Sequence, residues 1–331
     1  MKHKALFILD RWAHDLIYSP QVRQAIGERV DVYAPRQDRD VLHTNPAILR
    51  DVQIIFTGWA HPKLDAEFLD AAPALEAAFY GSGSCRAMVS EAMWEREIVV
   101  TTATSANSVP VAEFTLAQIL FSLKRGWEYA TVLRERGECR SHFHVPGAFH
   151  SKVGIIALGH VGRLVCEKLK QFDVEVLAYD PHVDSSVFRE VGATRASLGE
   201  IFDQCDVVSL HAPRNAETIG MINGSHFLRM KPRAVFINTA RGALVNEVEM
   251  VDALIKRPDL WAILDVFSDD PERTDKRIHT LRNVVLTPHI AGSLNEECLR
   301  MGEAMLSELT RYLERKPLRG QVTAERVAVM T

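Results

Sequence analysis

No stretch of this 331-residue chain approaches the roughly 20 consecutive apolar residues that a membrane-spanning helix needs. Cysteine is scarce and scattered. Cys85, Cys139, Cys166, Cys205 and Cys298 are odd in number and form no Cys-x-x-Cys pair, which argues against a disulfide framework or a zinc site. Reduced thiols in a cytoplasmic protein are the expectation. A secretory leader is not expected, because the apolar run Ala5–Leu9 is short and meets charge at Asp10-Arg11; it reads as a first buried strand. The net charge of −4 supplies no basic surface for nucleic acid or an anionic membrane. Neither a Gly-x-Ser-x-Gly elbow nor a His-Glu-x-x-His pair occurs, which removes the commonest hydrolase readings. His142, His144 and His150 lie in an aperiodic stretch whose ligand set is incomplete for a metal, so a loop role is expected and no metal.

What is present is a regular alternation of short apolar runs with amphipathic segments, the pattern of βα units and parallel sheets. In the first third, strands are predicted at Ala5–Asp10, Val30–Ala34, Val52–Gly58, Leu75–Gly81 and Ile98–Thr102, with a helix at Pro62–Ala72. A long helical pattern follows from about Val111 to Arg136, then a loop over Gly137–Ser151. A second series places strands at Val153–Leu158, Glu175–Tyr179, Val207–His211, Ala234–Asn238, Ala262–Phe267 and Val284–Leu286. Their near-continuous apolar character suits strands buried on both faces. Ser293-Leu294-Asn295-Glu296 reads as a capping box opening a final helix of about 20 residues. The length allows about two domains. The expected fold is therefore α/β, with two doubly wound parallel sheets.

The second series opens with Val153-Gly154-Ile155-Ile156-Ala157-Leu158-Gly159-His160-Val161-Gly162, a strand running into a Gly-rich turn and a helix. Asp180 ends the next strand at about the distance a dinucleotide fingerprint requires. Gly159, His160, Val161 and Gly162 would bring backbone and a helix N-terminus to a pyrophosphate. Ala157 replaces the first glycine, which is tolerable if its φ stays negative. A carboxylate at Asp180, with no arginine directly after it, favours NAD over NADP.

Three later phrases each end an apolar strand in a chemically useful group. Ile237-Asn238-Thr239-Ala240-Arg241-Gly242 ends in a fixed cation, Leu264–Pro271 in the carboxylates Asp265, Asp269 and Asp270, and Leu286-Thr287-Pro288-His289-Ile290-Ala291-Gly292 in an imidazole. A guanidinium, a carboxylate and an imidazole beside a nicotinamide are what reversible reduction of a 2-keto acid requires.

These phrases, in this order and behind the nucleotide turn, resemble the D-2-hydroxyacid dehydrogenase family over nearly the whole chain. The resemblance implies a Rossmann-type NAD domain at 113–290 and a discontinuous, flavodoxin-like substrate domain at 1–112 with 291–331, the active site lying in a cleft between them. Arg241 would bind and polarise the 2-keto acid, His289 would be the acid/base, and Asp270, where the family usually has Glu, would pair with it. Asp265 would meet the nicotinamide carboxamide. His211, Pro213 and Thr218 would line the adenosine side, though a structural turn explains the last two almost equally well. Thr239, Ala240 and Gly292 complete the expected cofactor contacts. Ser82, Gly83 and Ser84 match a loop whose N–H groups bind the substrate carboxylate, and Arg86 replaces the acidic residue usual after it. A homodimer formed through the cofactor domain is also implied. The same scaffold serves as an NAD-sensing transcriptional corepressor, whose long disordered tail has no counterpart here, and as formate or phosphite dehydrogenase. The formate enzyme carries Gln where this chain has a carboxylate.

Overall fold

A computed structural model describes residues 2–137, 145–268 and 274–328. The chain forms two compact units: one runs to Ser108 and resumes at Ser293, the other is Val109–Gly292. The first divide falls inside the helix Thr104–Leu123.

In the first unit, β1 (Lys4–Phe7), β2 (Asp31–Val32), β3 (Ile54–Thr57), β4 (Ala77–Tyr80) and β5 (Val99–Thr102) lie parallel in the order 2-1-3-4-5. Alternate residues face opposite layers. Ala5, Phe7, Ile54 and Phe56 pack with Ile17, Ile26 and Met305 from helices on one side, while Leu6, Ile8 and Ile55 pack with Leu64 and Phe68 on the other.

The second unit holds seven parallel strands: β6 (Ser151–Ile156), β7 (Val174–Tyr179), β8 (Thr194–Arg195), β9 (Val207–Leu210), β10 (Val235–Asn238), β11 (Trp261–Leu264) and β12 (Val284–Leu286). Their order, 12-11-10-9-6-7-8, is the doubly wound dinucleotide-binding arrangement with an added edge strand. Ile155, Val207, Ile237 and Ile263 face one layer, and Ile156, Val208, Phe236 and Leu264 the other. Burial on both faces explains why these strands read as unbroken apolar runs.

The expected α/β fold with two parallel sheets is present, and three finer expectations are corrected. The first sheet also gains an edge strand the sequence did not announce, β13 (Gln321–Val322), antiparallel to β5. Two residues are too few to show a period. Buried Glu308 folds this segment back, accepting hydrogen bonds from the Arg319 and Gly320 N–H groups at 3.2 and 3.0 Å. The long helix is two helices, Thr104–Leu123 and Gly126–Arg136, because Arg125 adopts a left-handed φ of 52° and ends the first. The final helix is Leu299–Leu313, preceded by a 3-10 turn. The Ser293 side chain does not cap it: its N–H goes to Asn107 Oδ1, and Glu297 rather than Glu296 accepts the Leu294 N–H. The third correction, at Ala157, concerns the nucleotide turn below.

Glu308→Ala removes both charge-assisted hydrogen bonds from a buried turn. It should cost about 2–3 kcal/mol of stability and release the β13 edge. Urea denaturation and amide exchange at residues 321 and 322 measure this; an unchanged midpoint would mean that apolar packing alone seats the strand.

Candidate active site

Register decides which side chains can meet. Tyr179, Ile156, Leu210, Asn238, Leu264 and Leu286 are partners across six successive strands, forming one row at the carboxyl edge of the seven-stranded sheet. One residue beyond the row stand Asp180, Ala157, His211, Thr239, Asp265 and Thr287. Most of the residues expected to hold the cofactor are in or beside this line, the edge where doubly wound sheets bind ligands.

The nucleotide turn is built by close approach. A Cβ on Gly162 would lie 2.1 Å from the Ala157 carbonyl oxygen, so only glycine lets the helix His160–Leu169 seat on the strand. At Gly159 the same test meets nothing within 4 Å, and no side chain caps the helix at this residue. That open, uncapped N-terminus, which continues into His160 and Val161, suits a pyrophosphate. Ala157 has φ +73°, contrary to the expectation of a negative value. The left-handed conformation costs an alanine about 1–2 kcal/mol. It is held by Asp180, whose two oxygens accept the Leu158 N–H at 2.7 Å and the His182 N–H at 2.8 Å.

His211 sits beside β6, its N–H donated to the Ile156 carbonyl and its Nε2 3.0 Å from Ser209 Oγ. Thr218 is occupied in its own loop: its hydroxyl donates to the Pro213 carbonyl and accepts the Asn215 N–H.

Arg241 and His289 each lie three residues past the row, at the ends of β10 and β12 on either side of β11. Two strand spacings separate those strands, about 9–10 Å. Each group stands on a turn pinned by a polar side chain. Asn238 Oδ1 accepts the Ala240 N–H at 3.0 Å and its Nδ2 donates to the Arg241 carbonyl at 3.1 Å. A Cβ on Gly242 would fall 1.9 Å from the Phe267 carbonyl oxygen, so glycine is required after the arginine. Thr239 reaches Thr115 Oγ1 at 3.0 Å. On the other side, Asp265 Oδ1 accepts the Thr287 hydroxyl at 2.6 Å and the Ile290 N–H at 2.9 Å, and Oδ2 accepts the Ala291 N–H at 2.9 Å. These bonds brace a turn in which exposed His289 holds φ +54°. Gly292 closes it. Asp270 lies outside the described residues, as do His142 and His144.

Ser82, Gly83 and Ser84 belong to the first unit, just past the end of β4. The loop is fixed by Ala103 N–H donating to the Ser82 carbonyl and by Thr104 Oγ1 donating to the Gly83 carbonyl, both at 2.9 Å. Asn107, which the sequence gave no reason to single out, lies against Gly83. Two tryptophans were likewise not singled out: Trp12 and Trp59 stack at 6.2 Å and 11° beyond the ends of β1 and β3, where the 2-1-3-4-5 order reverses and ligands bind. Their signal was position after a strand, which periodicity does not score.

Residues 116–291 match the model of the D-isomer specific 2-hydroxyacid dehydrogenase, NAD binding domain. The chain belongs to the D-isomer specific 2-hydroxyacid dehydrogenase family. Its second unit is an NAD-binding domain, and NAD is the cofactor that its turn and Asp180 fit. The D-3-phosphoglycerate dehydrogenase of Mycobacterium bovis is 32% identical over 86% of this chain and 53% of its own length. That of Archaeoglobus fulgidus is 30% identical over 78% and 49%. The chain thus spans about half the length of the curated relatives it matches. A phosphoglycerate oxidoreductase from Rhizobium etli shares the fold with a TM-score of 0.83 at 21% identity, covering 99% of this chain and 100% of the other. Rhodotorula graminis D-mandelate dehydrogenase shares it at 0.80, 20% identity and 98% of each chain.

The His211 imidazole is partly buried, and that burial pushes its pKa from 6.5 down to about 3. Below its ordinary value the unfolded chain binds a proton that the folded chain refuses, so stability falls as pH drops from 6.5 towards 3. A loss on the order of 2–3 kcal/mol between pH 7 and pH 4 is expected from this group. His211→Gln should flatten that part of the stability profile; an identical acid limb in the variant would assign it to other groups.

Proposed function

We propose that this chain is an NAD-dependent D-2-hydroxyacid dehydrogenase, interconverting a 2-keto acid and its D-2-hydroxy acid in the cytoplasm. The observation that carries this reading is the shared register of Arg241 and His289 beyond β10 and β12, on an NAD-binding domain. Reduced NAD, when bound, supplies a hydride for C2. The first unit is the substrate domain, its loop of Ser82, Gly83 and Ser84 offering backbone N–H groups to the substrate carboxylate. Arg241 holds and polarises the keto acid, stabilising negative charge on the C2 oxygen during reduction. His289 protonates that oxygen in reduction and takes the hydroxyl proton in oxidation. Asp270 is the proposed partner that favours the imidazolium.

Relatives named for phosphoglycerate and neighbours named for other 2-hydroxy acids leave the substituent at C3 to this chain's own residues. The Trp12–Trp59 stack at the switch point favours an apolar group there over a phosphate. We also propose a homodimer formed through the NAD domain. Helix Gly126–Arg136 buries none of its residues, and Leu133 on it and Phe121 on the helix before it are exposed, apolar surface that a partner would cover.

Following NADH oxidation across a panel of 2-keto acids tests the activity, and no turnover of any of them would refute it. Arg241→Ala should cost about 2–5 kcal/mol in kcat/KM with NADH affinity nearly unchanged; near-normal turnover would remove Arg241 from the site. NADH should be preferred over NADPH by at least about tenfold, or roughly 1.4 kcal/mol. Sedimentation at micromolar concentration should show a dimer, and a species of 37.2 kDa alone would exclude it.

A further inference from the structure

At the amino edge of the seven-stranded sheet, opposite the row described above, a small cavity lies in the NAD domain. It is lined by Ser122, Arg125, Trp127, Glu128, Arg233 and the first residues of β10 and β11, Val235 and Trp261, with Ile263 behind them. About 10 Å³ is open to the centre of a water-sized body, room for one small occupant and no more.

Its polar lining is unbalanced. Among the described residues, five buried side-chain N or O atoms lack a hydrogen-bond partner, and three of them meet here: Ser122 Oγ, Arg125 Nε and Arg125 Nη1. Buried donors without partners are costly, more so on a charged group, so such a convergence is seldom left unfilled. Charge points the same way. Arg233 is matched by Glu128 at 2.6 Å, with Tyr129 Oη 3.3 Å away. Arg125 is the second guanidinium of this lining and Glu128 its lone carboxylate, which leaves an excess of one positive charge. Desolvation and the Arg233 charge push the Arg125 pKa down, against the smaller upward pull of Glu128 and Tyr129, so the counter-charge that Arg125 shares with Arg233 does not fully balance it. The backbone is strained to hold it: Arg125 and Arg233 have φ of 52° and 63°.

We infer that this cavity binds one small monovalent anion of halide size, chloride being the form cells supply, held by Arg125 Nε and Nη1 and the Ser122 hydroxyl. A water could occupy the space but would leave the charge unmatched. Sulfate and phosphate exceed the volume. The anion would neutralise the turn between helices Thr104–Leu123 and Gly126–Arg136, so its readout is stability of that turn rather than chemistry at the far edge.

The test uses the full chain in buffers of equal ionic strength, with sodium chloride, bromide or gluconate. Chloride and bromide should each raise Tm saturably by about 2–4 °C over gluconate. Arg125→Met should abolish that difference, and Ser122→Ala should shift its midpoint to higher anion concentration. Bromide-soaked crystals of the unaltered chain should show an anomalous peak between Ser122 and Arg125, which decides the matter should Arg125→Met fail to fold. Equal Tm in chloride and gluconate, an anion response surviving in Arg125→Met, or no bromide peak would each overturn the inference. So would a carboxylate from a second copy found seated in the cavity.

Discussion

Everything proposed for the NAD domain hangs on one constraint, the shared register of its parallel strands. Because Tyr179, Ile156, Leu210, Asn238, Leu264 and Leu286 are partners in one row, each strand delivers its next residues to the same edge. Slipping one strand by a single position would exchange its buried faces, which the two apolar layers forbid. The core therefore does more than stabilise. Apolar residues such as Ile155 and Phe236, far from any chemistry, set where Asp180, Arg241 and His289 emerge.

At that edge the polar side chains divide into two kinds of work. Asn238, Asp180 and Asp265 turn inward and satisfy backbone N–H groups that a strand end would otherwise orphan. Arg241 and His289 are carried by the turns so braced. Asp265 illustrates the difference between the two roles. The family resemblance assigns it to the nicotinamide carboxamide, yet three donors from Thr287, Ile290 and Ala291 already engage its carboxylate. A carboxylate has about four lone-pair sites, so a cofactor contact would be an additional bond on a group whose first task is to hold the His289 turn.

Much of this was legible in the sequence, for identifiable reasons. Buried parallel strands advertise themselves as apolar runs, and Val284–Leu286 was placed to the residue. The phrases around Arg241 and His289 were legible because glycine and proline fix their turns; the 1.9 Å approach at Gly242 is the physical content of that signal. What escaped was short or non-local. Two-residue strands such as β8 and β13 have no period to detect. The break at Arg125 carries no glycine at the left-handed residue itself, so the apolar stripe ran on through it. Asn107 and Thr115 act through partners more than twenty or a hundred positions away, which local patterns do not encode.

Strain in the NAD domain is concentrated where backbone is held by side chains. Ala157 and His289 have positive φ at the carboxyl edge; Arg125, Arg233 and His150 have it at the opposite edge, where the His150 N–H donates to the Asp173 backbone carbonyl at 3.0 Å. Each costs of order 1–3 kcal/mol and persists only if its surroundings over-determine it. For Ala157 the clamp is Asp180 on the adjoining Leu158 N–H, for His289 it is Asp265 on the Ile290 N–H, and for Arg233 it is Asp259 on its own N–H at 2.9 Å. In all three a carboxylate takes a backbone donor at or next to the strained residue. Arg125 lacks a clamp of this kind among these bonds, and it is also the residue whose buried Nε and Nη1 have no hydrogen-bond partner. An anion in its cavity would do for Arg125, through the guanidinium, what a protein carboxylate does for Ala157, His289 and Arg233.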